Sequence, residues 1–294
     1  MTSTVRVWVD GARPRTLPAS VTPVLVGTAV AYAQGGLVWW RALLALVVAL
    51  ALQVGCNYAN DYSDGVRGTD AHRVGPARLV GAGVARPRTV LLAALACFAL
   101  AAAIGLVLAL VTSLWLLLVG AAALAAAWFY TGGARPYGYR ALGEVSVFVF
   151  FGVVPVVGTT YVQTGTLSWL SLACSLPVAL LVVDLLVVNN LRDIPTDEAA
   201  GKRTLAVVMG DRNTRVLYTT LLVAALAGTV AVAVMRPWGA VALLAAPVAW
   251  LPLRRVVGGV TGRPLVLALR DTGRLELAYG VLLSLGLALS TVTA

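Results

Sequence analysis

Of the 294 residues, 60% are hydrophobic and only 12% charged, against about 25% charge in a soluble domain. With a mean hydropathy of +0.90, the composition excludes an ordinary soluble globular enzyme and implies a polytopic membrane protein. The formal charge of +10 is spread between apolar runs rather than gathered on one face. Orientation in a membrane accounts for it, and no nucleic-acid partner is expected.

The apolar runs approach the ~20 residues a helix needs to cross a bilayer. Nine can be drawn, at 17–34, 39–60, 88–111, 113–130, 141–163, 168–192, 213–235, 238–255 and 273–293. The expected fold is all-α, about nine transmembrane helices in a single domain spanning 1–294. Turns after the first, third, fifth and seventh segments are short, and the longer polar loops follow the even-numbered ones. With the N-terminus in the cytoplasm, Arg41 and Arg236 are the only two of 22 basic residues near the outer face, leaving 20 inside. So lopsided a count predicts that orientation. Polar residues from Arg6 to Arg15 lead into the first segment without a convincing cleavage site, so it reads as a retained helix. Cys56, Cys97 and Cys174 lie in apolar segments and read as small buried hydrophobes without disulfides. His72, the only histidine, reads as an ordinary loop residue and excludes any site built from several histidines.

Acidic residues number twelve, yet Asp61, Asp64 and Asp70 fall within ten positions at the end of the second segment. On a helix Asn57, Asn60, Asp61 and Asp64 are spaced i, i+3, i+4, i+7 and share a face. A solvated helix cap would suit these residue types. Carboxylates crowded on one face also suit a hard divalent cation such as Mg²⁺, which takes oxygen ligands and leaves room for phosphates. A second cluster ends the sixth segment, where Asn189, Asp193 and Asp197 recur every four residues beside Asn190, although Pro195 could distort the turn. Both clusters fall on the cytoplasmic side, with Arg67, Arg73, Arg78, Arg192, Lys202 and Arg203 nearby. Two acidic sites ringed by cations are what a metal-bound diphosphate requires.

These residues resemble the intramembrane UbiA-type prenyltransferases, whose motifs are Asn-Asp-x-x-Asp-x-x-x-Asp and Asp-x-x-x-Asp. Asn60-Asp61-x-x-Asp64 matches the first part and Asp193-x-x-x-Asp197 the second. The last aspartate of the first motif falls on Gly68, with Asp70 two residues later. Ala12 to Ala19, Gly75 to Val80, Tyr130-Thr-Gly-Gly, Pro136 to Glu144 and Asn189 to Gly210 resemble the menaquinone branch, the 1,4-dihydroxy-2-naphthoate polyprenyltransferases. The last three segments match only in hydropathy.

The resemblance implies a UbiA-like helical bundle open sideways to lipid, in the plasma membrane, with its active site facing the cytoplasm. Its partners would be a polyprenyl diphosphate, 1,4-dihydroxy-2-naphthoate and membrane lipid. Mg²⁺ would be held by Asn60, Asp61, Asp64, Asp193 and Asp197, with Asp61 in direct contact or one layer back. The allylic C–O bond ionises, the ring carbon bearing the carboxylate attacks, and CO₂ and a proton leave to give demethylmenaquinone. Tyr130, and less directly Tyr139, would face the allylic cation. Arg140 and Lys202 would contact diphosphate, and Arg13 the naphthoate carboxylate or merely the inner membrane surface. Asn57, Arg67, Arg78, Asn189 and Asn190 complete the expected substrate-binding set. Glu144 is placed to orient Arg140 or a tyrosine. Asp184, nearly opposite Asp193 on its helix, is expected outside the metal site, facing a polar cavity or neutral.

Three alternatives compete. Another aromatic acceptor, such as 4-hydroxybenzoate or homogentisate, is chemically close. A phosphatidyltransferase would need Asp-Gly-x-x-Ala-Arg followed by two spaced aspartates on one helix, whereas Asp64-Gly65 continues Val-Arg-Gly-Thr. A transporter would place ionisable groups near the midplane of two related halves.

Overall fold

A computed structural model describes residues 4–69 and 78–292. Asp70, His72, Arg73 and Gly75 to Ala77 lie outside the described residues. An amphipathic helix α1 (Thr4–Ala12) precedes α2 (Pro18–Ala33), α3 (Trp39–Arg67), α4 (Pro87–Val111) and α5 (Trp115–Phe129). Then come α6 (Gly143–Val147) and α7 (Val154–Thr164), joined through a π-helical stretch Phe148–Val153. The chain ends with α8 (Trp169–Ala199), α9 (Leu205–Met235), a 3₁₀ stretch Pro237–Ala245 running into α10 (Ala246–Val257), and α11 (Pro264–Val292). Every one of the nine expected segments is helical. Among the described residues seven helical stretches are long and apolar enough to span a membrane, or eight if α1 and α2, bent by 53°, form one broken span. The 15 residues of α5 reach only about 22 Å at ~1.5 Å per residue, short of a ~30 Å hydrocarbon core.

Local chemistry sets the ends. Prolines open α2, α4 and α11, where the missing N–H costs no hydrogen bond. Ser168 and Thr204 cap α8 and α9 through their side-chain oxygens. Pro155 cannot donate to the Phe151 carbonyl, so the turn before it widens into the π stretch. Four boundaries differ most from the hydropathy reading, the first being the end of α3, at Arg67 rather than 60. Helix α9 starts at Leu205 rather than 213, because a short apolar turn, Leu205 to Met209, precedes the polar residues Asp211 to Arg215, with Gly210, at φ 76°, breaking the helix between them. Helix α11 starts at Pro264 rather than 273, an apolar turn, Pro264 to Leu269, preceding the polar Arg270 to Arg274, whose Asp271 is buried and paired with Arg255 of α10. Helix α8 continues through Pro195 to Ala199, which keeps Asp193 and Asp197 in one helical row.

Helix α8 is central, its apolar window 72% buried against 22% for peripheral α4. One apolar core gathers α2, α8, α9, α10 and α11, and a smaller one gathers α3, α4 and α5; Phe151 of the π stretch touches both. Between the two cores lies a cavity of about 290 Å³, walled by α2 to α8. At its outer end Arg41 donates to the carbonyls of Val111 and Val162, pinning the ends of α4 and α7 to the start of α3. The ends of α3, α5 and α8 meet at the opposite end, together with Arg78, Thr131 and Lys202. Asp184 is fully buried but does not line the cavity, being about 180° around α8 from Asp193.

Candidate active site

At the inner end of the cavity the two polar clusters face each other from α3 and α8. Gly201, at φ 70°, turns the chain after α8, so that Lys202 N–H bonds the Asp197 carbonyl and its side chain folds back over the site. The Lys202 ammonium lies 3.7 Å from an Asp64 oxygen and 3.7 Å from an Asp197 oxygen. Arg78, 8% exposed, reaches 3.7 Å from the same Asp64 oxygen. Asp64 is only 2% exposed and Asp197 8%, so these are desolvated carboxylates held by shared cations. One carboxylate from each motif thus converges on one ammonium.

The α3 cluster is fixed from outside its own helix. Asn57 donates to the Ala12 carbonyl and to Thr16 Oγ1, Gln53 donating to the same hydroxyl. Asn60 accepts from Thr131 Oγ1 at 2.7 Å. Tyr139 O–H donates to Asp64 at 2.5 Å, with Arg67 and Lys202 lying 5.6 and 5.1 Å from its ring centroid. Burial, then the Asp64 charge, pushes the Tyr139 phenol above its ordinary value. Asp61 behaves differently. Its two oxygens accept from the backbone N–H groups of Leu79 and Val80 at 2.9 and 3.0 Å, and it does not line the cavity. It clamps the returning loop that carries Arg78.

The α8 cluster is compensated mostly from within. Arg192 donates twice to Asp193, at 2.7 and 2.6 Å, and once to Asn189 at 2.8 Å. Asn190 donates to Glu144 Oε1 at 3.0 Å, so Glu144 orients an amide of the site rather than Arg140 or a tyrosine.

The remaining expected residues divide. Arg13, Asn57, Asn60, Tyr130, Asn189, Asn190 and Asp193 line the cavity together with Asp64, Arg78 and Lys202. Arg13 sits at φ 54°, in the tight turn between α1 and α2. Tyr130 stands edge-on to Tyr137 at 5.6 Å, and Gly138 and Gly143 approach it so closely that a Cβ at Gly138 would meet its carbonyl oxygen. Arg67 is exposed and donates to the carbonyls of Thr131 and Gly133, bracing the α5–α6 loop rather than reaching inward. Arg140 is also exposed and lines no part of the cavity; its backbone pairs with Arg203, tying that loop to the one after α8. Gln53, Thr16 and Thr131 were not anticipated. The signal for Gln53 was available, as an amide one helical turn before Asn57 in an otherwise apolar run.

Among the described residues no three histidine, cysteine or carboxylate side chains gather around one point. That donor set still suits Mg²⁺, which takes one or two carboxylates and completes its sphere with water and phosphate. The ammonium already shared by Asp64 and Asp197 shows that the site favours a cation between them.

The whole chain compares closely with known proteins. It is 52% identical, over 96% of both chains, to the 1,4-dihydroxy-2-naphthoate octaprenyltransferase of Mycobacterium tuberculosis. It is 37% identical to the Escherichia coli enzyme of the same name, over 98% of this chain and 97% of that one. Among solved structures, a UbiA homologue from Aeropyrum pernix K1 superposes with a TM-score of 0.69 at 18% identity, covering 93% of this chain and 97% of that one. A UbiA homologue from Archaeoglobus fulgidus bound to GPP and Mg²⁺ gives 0.67 at 16%, covering 94% and 98%. At such identities the structures speak for the fold alone. Residues 20–264 match the UbiA prenyltransferase family, and with that match, these relatives and the paired aspartate motifs, the chain belongs to it.

Proposed function

We propose that this chain transfers a polyprenyl group from its diphosphate to 1,4-dihydroxy-2-naphthoate, releasing CO₂ and diphosphate and giving the demethylmenaquinone skeleton of menaquinone biosynthesis. The observation that carries the reading is the Lys202 ammonium shared by Asp64 and Asp197 at the polar end of an otherwise apolar cavity. The names of the relatives over nearly the full chain support the choice of acceptor.

Asn60, Asp64, Asp193 and Asp197 would hold Mg²⁺. When bound, the ion adds positive charge against the diphosphate oxygens and so assists departure of the leaving group. Arg78 and Lys202 neutralise diphosphate charge as it builds up during breakage of the allylic C–O bond, whose electron pair leaves with the diphosphate. Tyr130, held edge-on by Tyr137, presents its ring to the allylic cation and excludes water from it. The naphthoate ring carbon bearing the carboxylate forms the new C–C bond. The carboxylate then leaves as CO₂, its bonding pair returning to the ring. Arg13, which lines the cavity next to the Ala12 carbonyl held by Asn57, pairs with that carboxylate before it departs. Asp61 holds the Arg78 loop and contacts no substrate. The bundle acts as one domain, with this polar end at the cytoplasmic face of the plasma membrane and the N-terminus inside, as the basic residues favour.

The test is a membrane assay with dihydroxynaphthoate, octaprenyl diphosphate and Mg²⁺. Prenylated product should appear and vanish on chelation. Product that survives complete removal of divalent metal would sink the mechanism, and turnover of 4-hydroxybenzoate instead would move the acceptor assignment.

A further inference from the structure

Helical glycines in this bundle differ in what surrounds them. Gly27, Gly55, Gly152, Gly280 and Gly286 allow close approach, since a Cβ on any of them would meet a neighbour at 2.1–2.6 Å. Gly105 on α4, Gly120 on α5 and Gly158 on α7 do not: a Cβ there meets nothing within 4 Å, and none has the positive φ that would require glycine. Among the described glycines these are the only three of that kind, and all three line the cavity. Glycine weakens a helix relative to alanine, and neither packing nor backbone conformation accounts for it here. What the three share is the space beside them.

Their position in the cavity is also common. Gly120 lies ten residues before Tyr130 on α5, about 15 Å further from the inner end at ~1.5 Å per residue. Gly105 lies toward the outer end of α4, and Gly158 in the outer half of the continuous span Gly143–Thr164. Helix α5 packs on α3 and α4, whereas α7 packs on α2, α3 and α8, and both helices line the cavity. A cavity of about 290 Å³ is at the small end for a ligand pocket, roughly 300–1,000 Å³. It cannot enclose a long polyprenyl tail. The tail must run past these positions toward lipid.

We infer that Gly105, Gly120 and Gly158 form a specificity gate that keeps the outer half of the cavity wide enough for a long prenyl tail, and that their missing side chains set which donor lengths are accepted. The inference rests on the prenyl-transfer reading above. A short donor of two isoprene units ends before the gate; an eight-unit donor passes through it.

The test compares geranyl and octaprenyl diphosphate on the same membranes, with dihydroxynaphthoate as acceptor, for the wild type and for Gly120→Leu, Gly158→Leu and Gly120→Ala. The readout is the ratio of kcat/KM for the two donors, which does not depend on how much folded protein each membrane holds. Either leucine variant should lower the octaprenyl-to-geranyl ratio at least tenfold, and Gly120→Ala only about twofold. An unchanged ratio in both leucine variants overturns the gate while leaving the prenyl-transfer reading intact. A wild type that prenylates with neither donor overturns that reading, and the gate with it.

Discussion

The two arms of the site are built in different ways. The α3 arm is fastened to other parts of the chain at every polar position: Asn57 to the α1–α2 turn, Asn60 to the end of α5, Asp61 to the returning loop and Asp64 to Tyr139. The α8 arm instead carries Arg192, which binds both Asp193 and Asn189 from the same helix. The first arm is a rigid wall whose geometry is set before anything binds. The second holds an internal counter-ion, so Asp193 must partly exchange Arg192 for another cation to take part. Lys202 ties the two together.

Breaking both arms at their shared point should have the largest effect. Asp64→Ala and Asp197→Ala each remove one side of the Lys202 bridge, and each should lower kcat by about 10²–10³-fold, the usual scale for losing a charge-stabilising group. Steady-state assays at saturating donor and Mg²⁺ would measure this. A loss below tenfold in both would mean that the arms do not act jointly.

Arg192→Ala separates the arms more finely. It removes the guanidinium that donates twice to the buried Asp193, and breaking such a pair costs about 3–5 kcal/mol where nothing compensates. If Asp193 can accept a divalent cation, added Mg²⁺ should restore much of the lost thermal stability, and should raise the melting temperature of the variant more than that of the wild type. Melting curves with and without Mg²⁺ decide it; equal Mg²⁺ shifts would show that Asp193 is committed to Arg192 alone.

Tyr139→Phe deletes one fastening of the α3 arm and should cost about tenfold in kcat/KM, near the ~1–1.5 kcal/mol of one hydrogen bond. The bond exists only while the phenol keeps its proton. Burial and the Asp64 charge raise the folded pKa above the ordinary ~10 of an unfolded tyrosine. Its contribution to stability is therefore whole below pH ~10 and is lost as pH rises from there through the raised value. The wild type should lose stability along that alkaline limb and Tyr139→Phe should lack it, which alkaline melting curves would show.

Much of this was legible in the sequence, and the failures share a cause. The spacing of Asn57, Asn60 and Asp64, and of Asn189, Asp193 and Asp197, placed each row on one helix face, and those rows do meet. The same arithmetic places Asp184 on the far side of α8, and it lies there. Spacing alone could not say where the centre of each face points. Taking ~100° per residue, Gln53, Asn57, Asn60 and Asp64 span roughly 60° of α3, and Asp61 lies about 40° beyond their edge. That offset directs it to the loop instead of the cavity. Arg67 and Arg140 were harder still, because a long side chain on a loop or helix end can turn inward or outward. Carbonyls left unsatisfied at Thr131 and Gly133 decided the matter for Arg67. Nothing in a linear sequence marks which carbonyls those will be.

The smallest effect is expected at Asp61, and it is the sharpest test of the contrast between the arms. Asp61 belongs to the same motif as Asp64 and a sequence reading gives both the same role, yet both its oxygens are engaged by Leu79 and Val80 N–H groups. Asp61→Asn keeps the size and one acceptor but loses the charge and the second bond. A hydrogen bond to a charged group contributes about 1.5–3 kcal/mol, so the loop should loosen and Arg78 with it. The expected outcome is a several-fold rise in KM for the diphosphate donor, with the Mg²⁺ concentration for half-maximal activity unchanged. Asp64→Asn, by contrast, should raise that concentration at least tenfold in whatever activity remains. Equal Mg²⁺ shifts in the two variants would return Asp61 to the metal site and make the α3 arm a set of ligands rather than a braced wall.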